Sequence, residues 1–114
     1  MERTRKTWGE RWLLFKNDLC EISYLELEPN RRCSWHYHKT KFNLFFVTEG
    51  ELYIKLEDGI AKIEKFQIFT TKPDEMHEFQ THDKPAKILE IMYVQYEAAD
   101  IMRDPTQLGG KLNE

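Results

Sequence analysis

The sequence predicts an all-β domain, a sandwich or a barrel, and three observations support this prediction. Short runs rich in β-branched and aromatic residues recur along the chain, separated by glycine, proline, asparagine or aspartate. The 114 residues fit one domain. Hydrophobic residues make up 40% of the chain, which is enough for a packed core and argues against disorder.

Nine segments are predicted as strands, and most of them end at a turn signal. They are residues 10–16, 20–28, 32–38, 42–49, 51–57, 60–64, 66–71, 76–81 and 86–96. The clearest turn is Asp58-Gly59, predicted as a tight hairpin because glycine readily adopts positive φ. Only residues 97–104 are typical of a helix, of one or two turns, and residues 107–114 are expected to form a mobile or partner-bound tail.

Charge and cysteine content narrow the classes of protein to consider. Seventeen basic against 20 acidic residues give a net charge of −3, which disfavours a nucleic-acid binder, so Arg3, Arg5 and Lys6 are expected to form a solvated basic arm. No apolar stretch is long enough to span a membrane. We expect Cys20 and Cys33 to be reduced thiols of a cytoplasmic protein, with one disulfide between them as the alternative.

The histidines are the clearest candidates for chemistry. His36 and His38 are two residues apart in a strand-like run, so both imidazoles should project from one face and reach a metal at about 2.0–2.2 Å. His77 lies in a later strand-like run after a proline-containing turn. Each pattern alone is common in proteins without metal, and His82 is expected to be an exposed loop residue. The three together predict a metal site.

The segment HYHKTKFNLFFVTEG resembles the first motif of the cupin superfamily, G-x5-H-x-H-x(3,4)-E-x6-G. His36, His38 and Gly50 match it, while Asn43 stands at the carboxylate position. Asn43 is either a metal-site residue or a strand-start residue whose side chain bonds the backbone. Its neutral amide keeps an oxygen donor but removes the negative charge, which predicts weaker metal binding.

The segment KPDEMHEFQT resembles the second cupin motif, P-x-G-x2-H-x3-N, more loosely. His77 fits, Pro73 is one place late, Asp74 stands at the glycine position and Thr81 at the asparagine position. The resemblance implies one domain over residues 1–114 with a core at about 8–97. The implied fold is a double-stranded β-helix, a small jelly-roll barrel with the metal inside. WGERW, RCSWHYHKTK, LFFVTEGEL and ADIMRD are also similar to the C-terminal cupin part of type II mannose-6-phosphate isomerases.

Together the residues and the resemblance predict a site inside the barrel. His36, His38 and His77 would bind a divalent transition metal (Zn, Fe, Ni, Cu or Mn), with Asn43 as a weak fourth ligand or a substrate contact. The residues expected to contact the substrate are Lys39, Lys41, Phe45 and Phe79. The two lysines follow the histidine pair at the barrel mouth, and the two phenylalanines share strand faces with Asn43 and His77.

Two functions remain open. One is a metal-dependent enzyme acting on a small polar molecule such as a sugar, a sugar phosphate or a carboxylate. The other is a non-catalytic cupin that binds a ligand or a partner, favoured by the absence of a catalytic carboxylate at Asn43. The nearby acids Glu49, Glu75 and Glu78 are expected to be solvated.

A homodimer is expected from apolar surface. The strand around residues 8–15 and the side chains of Trp35, Tyr37 and Phe42 offer more apolar surface than a monomer usually exposes. The resemblance also implies that dimers are common. We expect no membrane and no nucleic-acid partner.

Overall fold

A computed structural model describes residues 1–95, 105–106 and 109–112. These residues form nine strands: β1 (Glu2–Lys6), β2 (Gly9–Lys16), β3 (Cys20–Leu27), β4 (Phe42–Glu49), β5 (Leu52–Leu56), β6 (Gly59–Ile63), β7 (Ile68–Thr71), β8 (Glu78–Gln80) and β9 (Ala86–Tyr93). No helix occurs among them, which confirms the all-β prediction. The helical segment predicted at 97–104 lies outside the described residues, as does part of the 107–114 tail.

The strands form two antiparallel sheets of the predicted jelly roll. The larger sheet has the order β1-β2-β3-β9-β4-β7 and the smaller has the order β6-β5-β8. Inward-facing residues alternate along each strand, as in β4, where Asn43, Phe45 and Val47 are buried. Side chains from both sheets meet in one core: Trp8, Leu25, Leu27, Phe45, Val47, Leu52, Ile54, Ile63, Phe79, Ala86 and Ile88. The core therefore lies between the sheets.

The N-terminal basic segment is a paired strand and not a free arm, although the side chains of Arg3 and Arg5 are solvent-exposed as expected. β1 pairs antiparallel with β2 from Glu2↔Leu13 to Lys6↔Gly9. Both of its arginines pair with carboxylates: Arg3 with Glu10 on β2, and Arg5 with Glu28 just after β3, where Nη2 lies 2.7 Å from Oε1. The backbone ladder and these cross-strand charge pairs order a segment whose composition alone is typical of a solvated arm.

The predicted strand at 32–38 is not regular, although it lies alongside β8. Only two isolated bridges join it there, Arg32↔Gln80 and His36↔His77. Between them, the thiol of Cys33 replaces a backbone acceptor, because Sγ accepts a hydrogen bond from Phe79 N at 3.1 Å. A side-chain acceptor interrupts the ladder, so the segment follows β8 without continuous pairing.

Left-handed backbone conformations occur at positions where the motifs call for glycine. Gly50, which ends the first motif, has φ 79, and Asp74, at the glycine position of the second, has φ 66. Asn30, six residues before His36 and so at the first motif's leading glycine, has φ 56. Asparagine and aspartate tolerate this region better than other non-glycine residues. Asn30 and Asp74 therefore keep the left-handed backbone conformation that glycine would adopt at these two motif positions. The hairpin predicted at Asp58-Gly59 is present, and it joins β5 to β6.

Both cysteines are free thiols, so the alternative of a disulfide is not realised. Burial raises the pKa of Cys33 to about 12, and the hydrogen bond from Phe79 only partly offsets this. The thiol therefore stays protonated at neutral pH and acts as a packing and hydrogen-bonding group. Among the described residues, no helix has the length and apolar character needed to cross a bilayer.

Candidate metal centre

Three imidazoles converge between the sheets. His36 and His38 lie in the segment between β3 and β4, and His77 lies just before β8. Two backbone hydrogen bonds tie His36 to His77, N to O at 3.1 Å and 2.8 Å. The ring centroids of His36 and His77 are 4.5 Å apart. The centroid of the His38 ring lies 5.1 Å from that of His36 and 5.5 Å from that of His77. One nitrogen from each ring lies within 4.8 Å of the others, which is close enough to share one ion.

The backbone fixes which ring nitrogens face the centre. His36 Nδ1 donates to the carbonyl of Ser34 at 2.6 Å, and His77 Nδ1 donates to the carbonyl of Glu75 at 2.8 Å. Because a carbonyl only accepts, the proton of each neutral ring is on Nδ1 and the Nε2 lone pair is free. Carbonyl acceptors of this kind orient metal-binding histidines in many proteins.

Three buried polar atoms in this region have no hydrogen-bond partner among the described residues: His38 Nε2, His77 Nε2 and Asn43 Oδ1. Leaving such an atom unsatisfied costs on the order of 1–3 kcal/mol. Asn43 Oδ1 and His77 Nε2 have free electron pairs, and His38 Nε2 has one when its ring proton is on Nδ1, so one cation would satisfy all three atoms together. Burial lowers the pKa of both His38 and His77, which favours the neutral imidazole that metals require. The residues present therefore fit a divalent transition metal.

Asn43 does not bond the backbone with its side chain, so that alternative is wrong. Asn43 is 1% exposed on the inner face of β4, and its Nδ2 donates to Glu90 Oε2 at 3.3 Å. Its Oδ1 is the unpartnered atom described above. The amide therefore belongs to the polar centre.

A cleft of about 230 Å³ opens on this centre. Its lining combines the candidate metal-site residues with Trp8 from the β1–β2 turn, Phe79 from the smaller sheet and side chains from β1, β2, β3 and β9 of the larger sheet. The full lining is Lys6, Trp8, Arg11, Glu21, His36, His38, Asn43, Phe79, Glu90 and Met92. Lys6 and Arg11 come from β1 and β2, so the N-terminal strands form one wall of the cleft.

Glu90 is the functional candidate that the sequence analysis missed. It lies on β9 and faces inward with Ala86 and Ile88. Burial raises the pKa of its carboxyl, while the hydrogen bond from Asn43 and the charge of Arg11 act in the opposite direction. A single acid at an inward position of the apolar run AKILEIMY was a detectable signal.

A second charged group in the cleft is an ion pair between β2 and β3. Arg11 Nη2 lies 3.2 Å from Glu21 Oε2, and Arg11 Nε donates to Ser23 Oγ at 3.0 Å. The sequence analysis missed this pair too, because it places each partner in an ordinary strand. With Arg11 neutralised by Glu21, Lys6 is a cation with no ion pair in the described part of the chain.

The predicted substrate residues lie at different depths. Phe79 lines the cleft, while Phe45 is fully buried with its ring centroid 6.2 Å from that of His77. Lys39 is exposed, whereas Lys41 is half-buried and its charge helps to lower the pKa of His38. Contact of these four residues with a substrate stays a prediction.

His82, Glu49 and Glu78 were also considered as polar residues in the sequence, and the structure shows how exposed each of them is. His82 is exposed and stacks on Tyr53 with 3.7 Å between ring centroids. Glu49 is exposed as expected, but Glu78 is 5% exposed and accepts a hydrogen bond from Gln80, so the prediction that it is solvated is wrong.

Thr81 explains how the second motif tolerates the loss of its asparagine. Its Oγ1 donates to the carbonyl of Glu28 at 2.6 Å and accepts from Arg31 N at 3.1 Å. The hydroxyl thus ties the end of β8 to the segment that leads to His36. The role is structural, and it keeps the two histidine-bearing segments together.

Comparisons with known proteins agree with this architecture. The chain is similar in structure to KdgF from Halomonas sp., with a TM-score of 0.73, 10% identity, and coverage of 84% of this chain and 90% of the other. A predicted oxalate decarboxylase from Thermotoga maritima gives a TM-score of 0.72, 17% identity, and coverage of 82% and 91%.

The DMSP lyase DddQ from Ruegeria pomeroyi gives a TM-score of 0.68 at 15% identity, with coverage of 81% of this chain and 50% of that one. At these identities the likeness shows the fold alone. A comparison with curated proteins finds no significant match. The model of the cupin domain matches residues 23–92, which is more than half of the chain and includes all three converging histidines. The chain therefore belongs to the cupin domain family.

Proposed function

We propose that the protein is a metal-dependent enzyme acting on a small polar molecule, and that Glu90 is its proton-transferring carboxylate. The observation that carries this proposal is the presence of Glu90 in the same cleft as His36 and His38. The first cupin motif offers no carboxylate for proton transfer, because Asn43 stands at its carboxylate position. The neighbouring strand β9 supplies one.

The metal would be held by His36, His38 and His77, with Asn43 Oδ1 as the oxygen donor. Three neutral nitrogens favour Zn, Fe, Ni or Cu over Mg or Ca. When bound, the ion supplies Lewis-acid polarisation of a carbonyl or hydroxyl oxygen. No side chain in the described residues other than Asn43 bonds to Glu90, and only its Oε2 is engaged, so Oε1 is free to accept or return a proton.

The form of the cleft indicates the size and polarity of the ligand. A volume of about 230 Å³ lies below the usual range for drug-sized ligands, so a molecule of a few carbon atoms fits best. Lys6 favours an anionic group on the ligand, and Glu21 and Glu90 can accept hydrogen bonds from hydroxyls. Sugars, sugar phosphates and small carboxylates share these features. The resemblance to type II mannose-6-phosphate isomerases makes sugar phosphates the first to test.

Two of the similar structures are described as a lyase and a predicted decarboxylase, so the fold is compatible with an enzyme. We propose that the reaction begins with removal of a proton from carbon next to a polarised carbonyl or carboxylate. Glu90 would take that proton and return it to a neighbouring atom or to water.

We also propose a cytoplasmic location, which the free thiols of Cys20 and Cys33 support.

The test is carbon-bound proton exchange in D₂O, followed by NMR. Protein loaded with each candidate metal is mixed with hydroxy acids, oxo acids, sugars and sugar phosphates. We expect exchange with one class of compound, reduced at least about 100-fold in Glu90→Gln because the acid–base group is gone. His82→Ala is the matched control and should keep the wild-type rate. Full activity in Glu90→Gln would contradict the assignment of Glu90.

A non-catalytic binding cupin is the second candidate, and Asn43 is the observation that favours it. An amide at the carboxylate position leaves the metal without an anionic protein ligand. Saturable binding of a compound to the metal-loaded protein, with neither proton exchange nor conversion, would favour this function.

We also propose that the protein is a homodimer that pairs through the outer face of the larger sheet. Strand register aligns an apolar row across this face: Trp12, Tyr24, Leu89, Phe46 and Ile68. Trp8 does not belong to the apolar surface that the sequence predicts for the dimer, because it is 9% exposed and packs edge-on against Phe79. A second copy related by two-fold symmetry would cover this row and bury its apolar surface.

Sedimentation at tens of micromolar should give a dimer of the 13.8 kDa chain. Ile68→Glu should yield a monomer, because Ile68 is 62% exposed at the end of this row. Ile60→Glu is the matched control, since Ile60 is 59% exposed on the smaller sheet and should leave the dimer intact. A monomeric wild-type protein would overturn the proposal.

A further inference from the structure

The amide of Asn43 lies between two different chemical environments. Its Nδ2 is 3.3 Å from Glu90 Oε2, and its Oδ1 is buried without a partner. A carboxylate accepts hydrogen bonds, so the amide atom facing Glu90 is the nitrogen. The amide is planar, with oxygen and nitrogen on opposite sides of its axis. The bond to Glu90 therefore turns Oδ1 away from β9.

The alternative orientation would harm a metal site. His77 Nε2 is a hydrogen-bond acceptor, because the ring proton is on the Nδ1 that donates to Glu75, and His38 Nε2 is an acceptor in the tautomer that a metal requires. If the Asn43 amide were reversed, its NH₂ group would face these lone pairs and compete with a cation for them. Steric fit alone does not separate the two orientations, because the oxygen and the NH₂ group are similar in size. A hydrogen-bond partner has to select one.

We propose that Glu90 is the residue that selects it, positioning Asn43 so that Oδ1 completes a donor set of three imidazole nitrogens and one amide oxygen. In this role Glu90 acts through Asn43 and does not bind the metal itself. The inference rests on the proposed metal binding and adds a ligand-orienting role that is separate from proton transfer.

The strand register makes this pairing specific. Asn43 on β4 lies opposite Met92 on β9, and Glu90 lies opposite Phe45. Asn43 and Glu90 are therefore diagonal neighbours on the inner face, within reach of long side chains. Neither cation of the cleft forms an ion pair with Glu90 in the described part of the chain: Arg11 pairs with Glu21, and Lys6 acts on Glu90 only through its charge. The carboxylate is left for the amide.

The test titrates the metal-free protein with Co²⁺ and measures both affinity and the visible d–d spectrum, which reports the ligand set. Five proteins are compared: wild type, Asn43→Ala, Glu90→Leu, Glu90→Gln and the double variant Asn43→Ala/Glu90→Leu. Glu90→Leu should weaken Co²⁺ binding about 10–100-fold, the usual effect of losing a partner that orients a ligand. Its spectrum should shift to that of Asn43→Ala.

Glu90→Gln distinguishes positioning from proton transfer. The glutamine oxygen still accepts from Asn43 Nδ2, so the wild-type Co²⁺ spectrum should be retained even though proton exchange is lost. In the Asn43→Ala background, Glu90→Leu should have little further effect on affinity, because there is no amide left to orient. Thermal unfolding of each metal-free variant checks that it folds.

The inference is overturned if Glu90→Leu weakens binding equally with and without Asn43, or if its spectrum stays that of the wild type. Failure of the wild-type protein to bind Co²⁺ is a different result, since it would remove the proposed metal function itself. Loss of exchange in Glu90→Gln with an altered spectrum would also contradict the positioning role.

Discussion

Replacing His77 with alanine is expected to abolish stoichiometric binding of a divalent metal. His77 is fully buried, and its Nε2 is one of three donor atoms left without a partner. Loss of a residue that merely orients a ligand typically costs about 10–100-fold in affinity, so loss of a ligand itself should cost more. With no carboxylate among the ligands, no charged group compensates. His36→Ala should have the same effect.

Equilibrium dialysis followed by metal analysis measures this loss directly. His82→Ala is the control, because His82 is exposed and stacked on Tyr53 outside the cleft lining, and should bind one ion per chain like the wild type. Stoichiometric binding by both His36→Ala and His77→Ala would show that the three imidazoles do not form the metal site.

Gly50→Ala is expected to destabilise the fold by about 2–5 kcal/mol. Gly50 has φ 79, a region in which an L-residue costs roughly 1–2 kcal/mol. A Cβ there would also lie 2.4 Å from the carbonyl oxygen of Pro85 and 3.1 Å from Ala86 Cα. Both contacts are backbone, so the strain cannot be relieved by a rotamer change, and overpacking of this kind adds about 1–3 kcal/mol.

Denaturant unfolding of the metal-free proteins measures this effect without a contribution from the ion. Gly109→Ala is a suitable control, because a Cβ at Gly109 meets no atom within 4 Å, and its midpoint should match the wild type. An unchanged midpoint for Gly50→Ala would mean that the loop between β4 and β5 rearranges at little cost. The final glycine of the first motif would then be dispensable for folding.

The shared face of His36 and His38 was predictable, because it depends only on local spacing. Residues two apart in extended backbone share a face, and this held for His36 and His38 although the segment pairs with β8 only at isolated bridges. The alternation of β4 likewise placed Asn43 and Phe45 on the inner face. Periodicity needs no knowledge of the partner strand.

The remaining features of the site depend on which strands become neighbours. Glu90 reaches Asn43 only because β9 lies between β3 and β4 in the larger sheet. Lys6 enters the cleft because a segment with the composition of a solvated arm adds to the sheet as β1. A single sequence carries no direct signal for such long-range pairing. The charged residues of the cleft were therefore assigned to solvent or overlooked.

If the centre binds an ion as proposed, the bridge between His36 and His77 would link the residence time of that ion to a local opening of the chain. Two of the three imidazoles are carried by segments that two main-chain hydrogen bonds join at these same residues. Breaking this pair separates the donors while the strands of both sheets remain folded, so an ion escapes at the rate of a local fluctuation. A bound ion closes the same bridge, because it binds the closed form in preference to the open one. Amide hydrogen exchange at these two positions would then report occupancy of the centre, with protection that rises with the free ion concentration.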